Sequence, residues 1–411
     1  MLKVGVNSEF GNLKSVLIHE PGPEVENMTP ATAERALYSD ILNLPIARDE
    51  YSIFKSILNK VTHVVEIRDL LLNNIVKKPE AKNELIHALE NYSKVQDLSL
   101  VLDNLSDEQF TKTIIEGIPL PQVSLSNFLK QDQFAVNPLH NFFFMRDASF
   151  SIGNTIYVSS MARTVRKPES IILDIIYRHS IDECCNVCLL SDEDESNITI
   201  EGGDVLVASP EVLIIGIGSR TTPEAVDRLI QKVSQFQDLK TVLIQELPHE
   251  PESFIHIDMV FTLLSDSECM VYKPLVLGEN RYHTIKMDID NGIIKKIAYV
   301  KDLLKGLHLA GLDYKPVYCG GGNQLLQERE QWHSGANFFT FSPGKIIGYQ
   351  RNIHTAEALN KHGYEVISGY DFLDGNVNID NYKKYLITIE GSELARGGGG
   401  PRCMTMPLLR E

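Results

Sequence analysis

Apolar and polar positions change rhythm twice along the chain. Over roughly the first sixty residues, strand and helix patterns alternate. Ser15-Val-Leu-Ile-His19 is a compact apolar run that predicts a strand, and Pro21-Gly22-Pro23 stops it. Residues 32–58 predict a helix, and His63-Val-Val-Glu-Ile67 a second strand. From about Asp69 to Val136 the texture differs: Leu, Lys, Glu and Asn dominate, and Lys82 to Tyr92 repeats apolar residues at helical spacing. This predicts an all-helical insertion over 69–136. Beyond Phe142 the β-rich texture returns and holds to the end.

That second β-rich region carries a weak internal repeat. Val212 to Arg220 predicts a strand, with Thr222 capping the following helix and Pro223 in its first turn. Lys345 to Arg351 is again a strand, followed by Thr355-Ala-Glu-Ala-Leu359 and a stop at Gly363. Thr155-Ile-Tyr-Val-Ser-Ser160, then Arg163, Arg166 and a helix from Pro168, makes a third copy. Strand, arginine and helix thus recur three times, which suggests a pseudo-symmetric arrangement with loops from several copies meeting at one site. The pattern alone predicts an α/β or α+β fold.

Composition narrows the function. The 411 residues are 43% hydrophobic and 23% charged, ordinary for a globular chain. Asp plus Glu outnumber Lys plus Arg by 55 to 39, for a formal charge of −16. Such a chain has no global attraction for nucleic acid or anionic lipid, and a cationic small substrate suits it better. No run approaches the about 18 apolar residues of a membrane span, and the N-terminus has no apolar h-region. The expected location is the cytoplasm, with the six cysteines as free thiols. Cys185 and Cys188 have the spacing of half a zinc site, but no second Cys/His pair answers them.

Four polar clusters interrupt apolar runs. Asn141-Phe-Phe-Phe-Met-Arg-Asp147 reads as a strand ending in an Arg-Asp pair; taken alone, a surface ion pair explains it as well. Glu201-Gly-Gly-Asp204 places two glycines between carboxylates, where the backbone can approach a ligand or simply turn. Phe254-Ile-His-Ile-Asp258 reads as a strand, which would put His256 and Asp258 on one face. Four glycines and Pro401 precede Arg402 and Cys403, a backbone that can bend tightly and expose a thiol, with Arg402 favouring the thiolate. A thiol, a histidine and several carboxylates fit a cationic electrophile. Guanidinium is the obvious one, since carboxylates bind its planar N–H fork bidentately.

These residues, together with Gly335-Ala-Asn337, Pro343-Gly344, Arg351-Asn352 and Pro401-Arg-Cys-Met-Thr-Met406, resemble the arginine deiminases of the guanidine-modifying superfamily. The resemblance runs through most of the chain. It implies an α/β fold built as a five-fold pseudo-symmetric propeller (a pentein) over residues 1–68 and 137–411, with 69–136 as an inserted helical domain. It implies hydrolysis of L-arginine to L-citrulline and ammonia through a covalent Cys403 amidino-thioether. On this likeness Asp147 and Asp258 hold the guanidinium, His256 is acid and base, and Glu201 orients His256. Asn141, Phe144, Arg166, Arg220 and Asp204 line the substrate, with both arginines on the α-carboxylate. No metal, organic cofactor, nucleic acid or membrane partner is implied, and a homo-oligomer is expected.

The sequence departs from the family pattern at Gly398, where many relatives carry an arginine, and at Met145 and Ala148 in place of Thr and Pro. A more open pocket mouth is expected, without a change of substrate. Two other readings remain: a sister enzyme or amidinotransferase acting on another guanidine such as agmatine, and a non-catalytic binding protein. Arg166 and Arg220 speak against the first, because a substrate without an α-carboxylate does not need them. The intact nucleophile speaks against the second.

Overall fold

A computed structural model of the chain describes all residues except 30–32, 34–36, 39, 96, 131–132, 192–196 and 280. Five times among the described residues, two antiparallel strands are joined by a third strand that runs parallel to the second of the pair after a helical crossover. Ser149–Ile152 and Thr155–Val158 form one such pair; helix Lys167–Ser180 then leads to the parallel strand Asn186–Leu189. Val205–Ser209, Val212–Ile217 and Thr241–Glu246 repeat this around helix Pro223–Val233. Phe261–Leu263, Glu268–Val271 and Lys315–Tyr318 form the next sheet. Phe339–Ser342, Lys345–Tyr349 and Tyr385–Ile389 follow, with helix Ile353–Lys361 between the last two strands. The fifth sheet uses both ends of the chain: Met406–Arg410 pairs antiparallel with Leu13–Ile18, which pairs parallel with His63–Glu66.

The sequence repeat marked three of these five units. The remaining two escape it because their strands are short or lie at opposite ends of the chain. Parallel strands need long crossovers and are covered on both faces, so Val212–Ile217 and Thr241–Glu246 read as near-continuous apolar runs. The local capping signals also hold, since Thr222 Oγ1 accepts from the Ala225 N–H and Pro223 opens the helix. The helix expected over 32–58 is instead Leu44–Val61, begun by Asn43 and Pro45; positions 32, 34–36 and 39 of the expected span lie outside the described residues. It buries Ala47, Tyr51, Phe54, Ile57 and Leu58 at helical spacing.

Residues 69–136 carry helices Pro79–Glu90 and Asp107–Glu116, shorter helical turns, and a two-stranded ribbon of Ile118–Pro119 with Phe134–Val136. The segment is therefore mostly, not wholly, helical. Its apolar side chains join one cluster with Ile172, Leu173, Ile176 and Met406. Arg178 and His179 reach Glu84 at 2.6 and 3.0 Å across the same junction. Among the described residues, no helix is long and apolar enough to cross a membrane.

A buried ion cluster joins the first two strands of the chain. His19 lies 3.0 Å from Glu24 and 3.4 Å from Glu66. Burial disfavours its charged form, but the two glutamates outweigh that and lift its pKa from 6.5 to about 9. A folded-state pKa raised in this way gives stability that is complete below about pH 6.5 and lost as pH rises through about 9. We expect the Tm to fall across that window, and the fall to be shallower in His19→Gln. Parallel Tm–pH curves for the two proteins would show that the cluster does not set the alkaline slope.

Candidate active site

Cys403 stands between a glycine-rich turn and the final strand, which pairs with the first. Closure of that fifth sheet brings the C-terminal turn beside residues from the start of the chain. A cavity of ≈ 980 Å³ opens here, lined by Cys403, His256, Asp147, Asn141, Phe144, Arg166 and Arg220, with Trp332 and Arg351 among its other walls. Seven of the ten candidate residues thus meet in one place.

Two of the segments that deliver them are not the strands their apolar patterns predict. Asn141 to Asp147 turns and enters a short helix, Met145–Ala148. The cause is tertiary: Phe142 packs into one core cluster while Phe143 and Phe144 pack into another, which an extended strand could not arrange. Phe254 to Asp258 runs through two 3-10 turns, Glu252–Phe254 and Ile257–Met259, and the strand begins only at Phe261. His256 and Asp258 therefore do not share a strand face, yet both serve the same neighbourhood.

His256 Nε2 and Glu201 Oε2 are 2.8 Å apart, and His256 Nδ1 faces Asp147 Oδ1 at 3.6 Å. Gly203 makes this approach possible, because a Cβ there would lie 2.5 Å from His256 Nδ1 and 3.0 Å from Asp147 Oδ1. Of the two glycines in Glu201-Gly-Gly-Asp204, it is Gly203 that admits the His256 and Asp147 side chains. Burial disfavours the imidazolium, but Asp147 and the bond to Glu201 raise His256 to about 9. Burial likewise opposes ionisation of Glu201, yet Arg220, ahead of His256, holds it down at about 2. Asp147, Glu201 and His256 are also the group, among the described residues, whose donor atoms cluster within 4.8 Å.

Around the thiol the geometry corrects the sequence reading. Cys403 is only 3% exposed, and Arg402 beside it is deeply buried, with its guanidinium on Glu9 and Asp258. Burial, then Asp258 and Asp147, push the Cys403 thiol well above its usual range, so Arg402 does not make a resting thiolate. Asp258 Oδ2 sits 3.6 Å from Sγ, and Asn337 Nδ2 donates to Sγ at 3.2 Å. Asn337 also accepts from the Arg402 N–H at 3.0 Å, so it ties the thiol to its turn. The Gly335-Ala-Asn337 motif was visible in the sequence, but nothing local to it signals this contact.

Asp147 and Asp258 are each half engaged. Arg166 Nη1 takes Asp147 Oδ2 at 2.6 Å, and Arg402 Nη1 takes Asp258 Oδ2 at 2.9 Å. The other oxygen of each, Asp147 Oδ1 and Asp258 Oδ1, is buried without a hydrogen-bond partner among the described residues. Buried acceptors are normally satisfied, and two such carboxylate oxygens beside a thiol suit a cationic N–H donor.

The arginines differ. Arg166 is committed to Glu169 at 2.9 Å, to Asp147, and to the Asn141 and Phe144 carbonyls. Among the described residues, Arg220 reaches only Glu201, at 3.6 Å, and its buried Nε has no hydrogen-bond partner. Glu201, Asp204 and Asp258 do not line the cavity themselves. Glu201 and Asp258 touch His256 and Cys403, which do, whereas Asp204 accepts from Thr221 Oγ1 at 2.6 Å and from the Ile257 N–H at 2.9 Å and braces the turn after His256. Sequence reasoning also missed Glu50. Its buried carboxylate accepts from the N–H groups of Ser392, Glu393 and Leu394, anchoring the loop that walls the cavity before Cys403. Gly398 in that loop has φ +87°, a conformation that favours glycine, and a Cβ there would meet nothing within 4 Å.

The fold is shared with three solved enzymes. The N-terminal domain of ArgZ, an arginine dihydrolase from the ornithine–ammonia cycle in cyanobacteria, matches with a TM-score of 0.54 at 11% identity, over 96% of this chain and 98% of that one. A dimethylarginine dimethylaminohydrolase matches at 0.51 and 11% identity, covering 96% and 99%. SxtG, an amidinotransferase from Microseira wollei, matches at 0.52 and 14%, covering 99% and 97%. At such identities these likenesses carry the fold alone.

Sequence carries the family. The arginine deiminase family model matches residues 34–410. The arginine deiminases of Mycoplasma capricolum and Treponema denticola are each 31% identical over 100% of this chain, covering 98% and 99% of their own lengths. The chain belongs to the arginine deiminase family.

Proposed function

We propose that the protein hydrolyses L-arginine to L-citrulline and ammonia, with Cys403 as nucleophile. The observation that carries this reading is the pair of carboxylate oxygens, Asp147 Oδ1 and Asp258 Oδ1, that accept no hydrogen bond from the described residues and share one neighbourhood with Cys403 and His256. Asp147 and Asp258 hold the guanidinium. Its positive charge offsets the two carboxylates that raise the thiol pKa, so the nucleophile ionises when substrate arrives and the thiol proton is released to solvent.

The thiolate then adds to the guanidinium carbon. His256, protonated through Asp147 and Glu201, gives its proton to the departing nitrogen as ammonia leaves. The product is a cationic amidino-thioether on Cys403. Neutral His256 takes a proton from water, whose hydroxyl adds to the same carbon. Collapse expels the Cys403 thiolate and leaves citrulline; the hydroxyl proton passes to solvent, where it is balanced by protonation of the ammonia already released. Arginine incubated with the purified chain in the presence of EDTA should yield citrulline and ammonia in equal amounts. No citrulline under these conditions would sink the reading.

Support for a five-fold pseudo-symmetric propeller comes from the five sheets of like connectivity, with 69–136 as an insertion. Five units around an axis would bring their loops together at the cavity. Formation of a homo-oligomer belongs to the same reading, from the family likeness.

The α-carboxylate falls chiefly to Arg220, since most N–H groups of Arg166 are already used on Glu169, Asp147 and the backbone. A charge-assisted hydrogen bond contributes about 1.5–3 kcal/mol, so agmatine should lose roughly ten- to a hundredfold in kcat/KM relative to arginine. Arg220→Ala should raise the KM for arginine by a similar factor and leave the KM for agmatine nearly level, any loss of kcat through Glu201 being common to both substrates. Equal kcat/KM for the two substrates would instead favour the sister-enzyme reading.

A further inference from the structure

Glu9 lies 393 positions before Cys403's neighbour Arg402, and no step above uses it. Its buried carboxylate takes Arg402 Nε at 3.1 Å through Oε2 and Nη2 at 3.1 Å through Oε1. It is itself fixed by the sheet: the Glu9 N–H donates to the Val207 carbonyl at 2.9 Å, and the Val207 N–H to Oε1 at 3.3 Å. Arg402 Nη2 also donates to the Val205 carbonyl at 2.8 Å. That leaves Nη1 for Asp258 Oδ2, the oxygen 3.6 Å from the Cys403 sulfur. A planar fork engaged on one edge by Glu9 cannot present that edge to Asp258.

We propose that Glu9 is a positioning residue of the reaction: by gripping one edge of Arg402, it limits that cation to a single bond with Asp258 and keeps it turned from the Cys403 sulfur. The inference rests on Asp258 as a holder of the guanidinium. With Glu9 in place, Asp258 retains a free oxygen and most of its charge for a cationic substrate. Without that carboxylate, Arg402 closes on Asp258, and its charge acts on the thiol less compensated.

The charged groups around this contact set the sign. Cys403 faces Asp258, Asp147 and Arg402, with Asn337 and Tyr349 as its polar neighbours. Glu9 faces Arg402, Arg146 and Arg410, three buried cations that keep it ionised. Removing its charge therefore makes the site more positive. The Cys403 thiolate is favoured, and binding of a cation is disfavoured. One substitution thus moves two measurable quantities in opposite senses, which loss of packing does not.

In Glu9→Gln, the KM for arginine should rise about tenfold or more, with kcat changed less. Alkylation of Cys403 by iodoacetamide, followed on its own peptide by mass spectrometry, should shift to lower pH by about one unit, roughly tenfold faster at pH 7. Glu9→Asp, which keeps the charge, should restore much of both. An alkylation profile and KM equal to those of the unaltered chain would overturn the proposal, whatever the Tm does. If Glu9→Gln does not fold, Arg402→Lys reads the contact from the other side, because one ammonium cannot serve Glu9 and Asp258 as the fork does. Its KM should rise at least about fivefold, and an unchanged KM and alkylation profile overturn the proposal equally. Alkylation needs no turnover, so it decides the role of Glu9 even if the unaltered chain makes no citrulline.

Discussion

Cys403→Ser should lose turnover by at least about 10⁴-fold while still binding L-arginine with a Kd within a few-fold of the unaltered protein. The two halves of this result have separate causes. In the free protein the thiol is already disfavoured as an anion by burial, Asp258 and Asp147. A bound guanidinium can bring a thiol into range near neutral pH, but a serine hydroxyl starts several pKa units higher and stays protonated. Binding is spared because Asp147 Oδ1 and Asp258 Oδ1 are untouched by the change. Calorimetry with the variant and acid-quenched mass spectrometry of the unaltered enzyme check both halves. The latter should show the amidino adduct on the Cys403 peptide during a single turnover. Product without adduct would mean that water attacks the guanidinium directly, and turnover in the serine variant would make the thiol dispensable.

The parts of this site legible in the sequence are those set by local chemistry. Thr222 and Pro223 start a helix wherever that helix packs, and Val212 to Ile217 is apolar because it is covered on both faces. The wrong strand assignments fell where tertiary packing outvotes local pattern. Phe142, Phe143 and Phe144 form an unbroken apolar run, and only the presence of two separate core clusters makes the chain turn there. Arg402 shows the same limit in charge. Its position beside Cys403 suggested a thiolate partner, but its guanidinium answers to Glu9 and Asp258, whose proximity depends on closure of the fifth sheet. The family likeness puts Asp204 with the substrate residues, although both its oxygens brace the protein itself. Residue types were readable, whereas the direction of each side chain was not.

His256→Ala should cost about 10²–10⁴-fold in kcat, with the affinity for arginine changed far less. In the proposed mechanism the same side chain acts twice, first as an acid toward ammonia and then as a base toward water. Its surroundings suit the acid role, because Asp147 and Glu201 overcome burial and hold it protonated to about pH 9. They suit the base role as well, since Glu201, kept ionised down to about pH 2, fixes Nε2 and leaves Nδ1 without a hydrogen-bond partner. Affinity should be spared because the carboxylates proposed to hold the guanidinium remain, and loss of an imidazolium from a cation site removes a repulsion. The variant's KM should therefore stay level or fall while its kcat collapses. A separate measure of binding, titration of arginine into the variant, keeps a slow chemical step from being mistaken for tight binding. Near-normal kcat in His256→Ala would make this histidine a structural member of the Asp147–Glu201 cluster, and the proton transfers would have to pass to another group in the cavity.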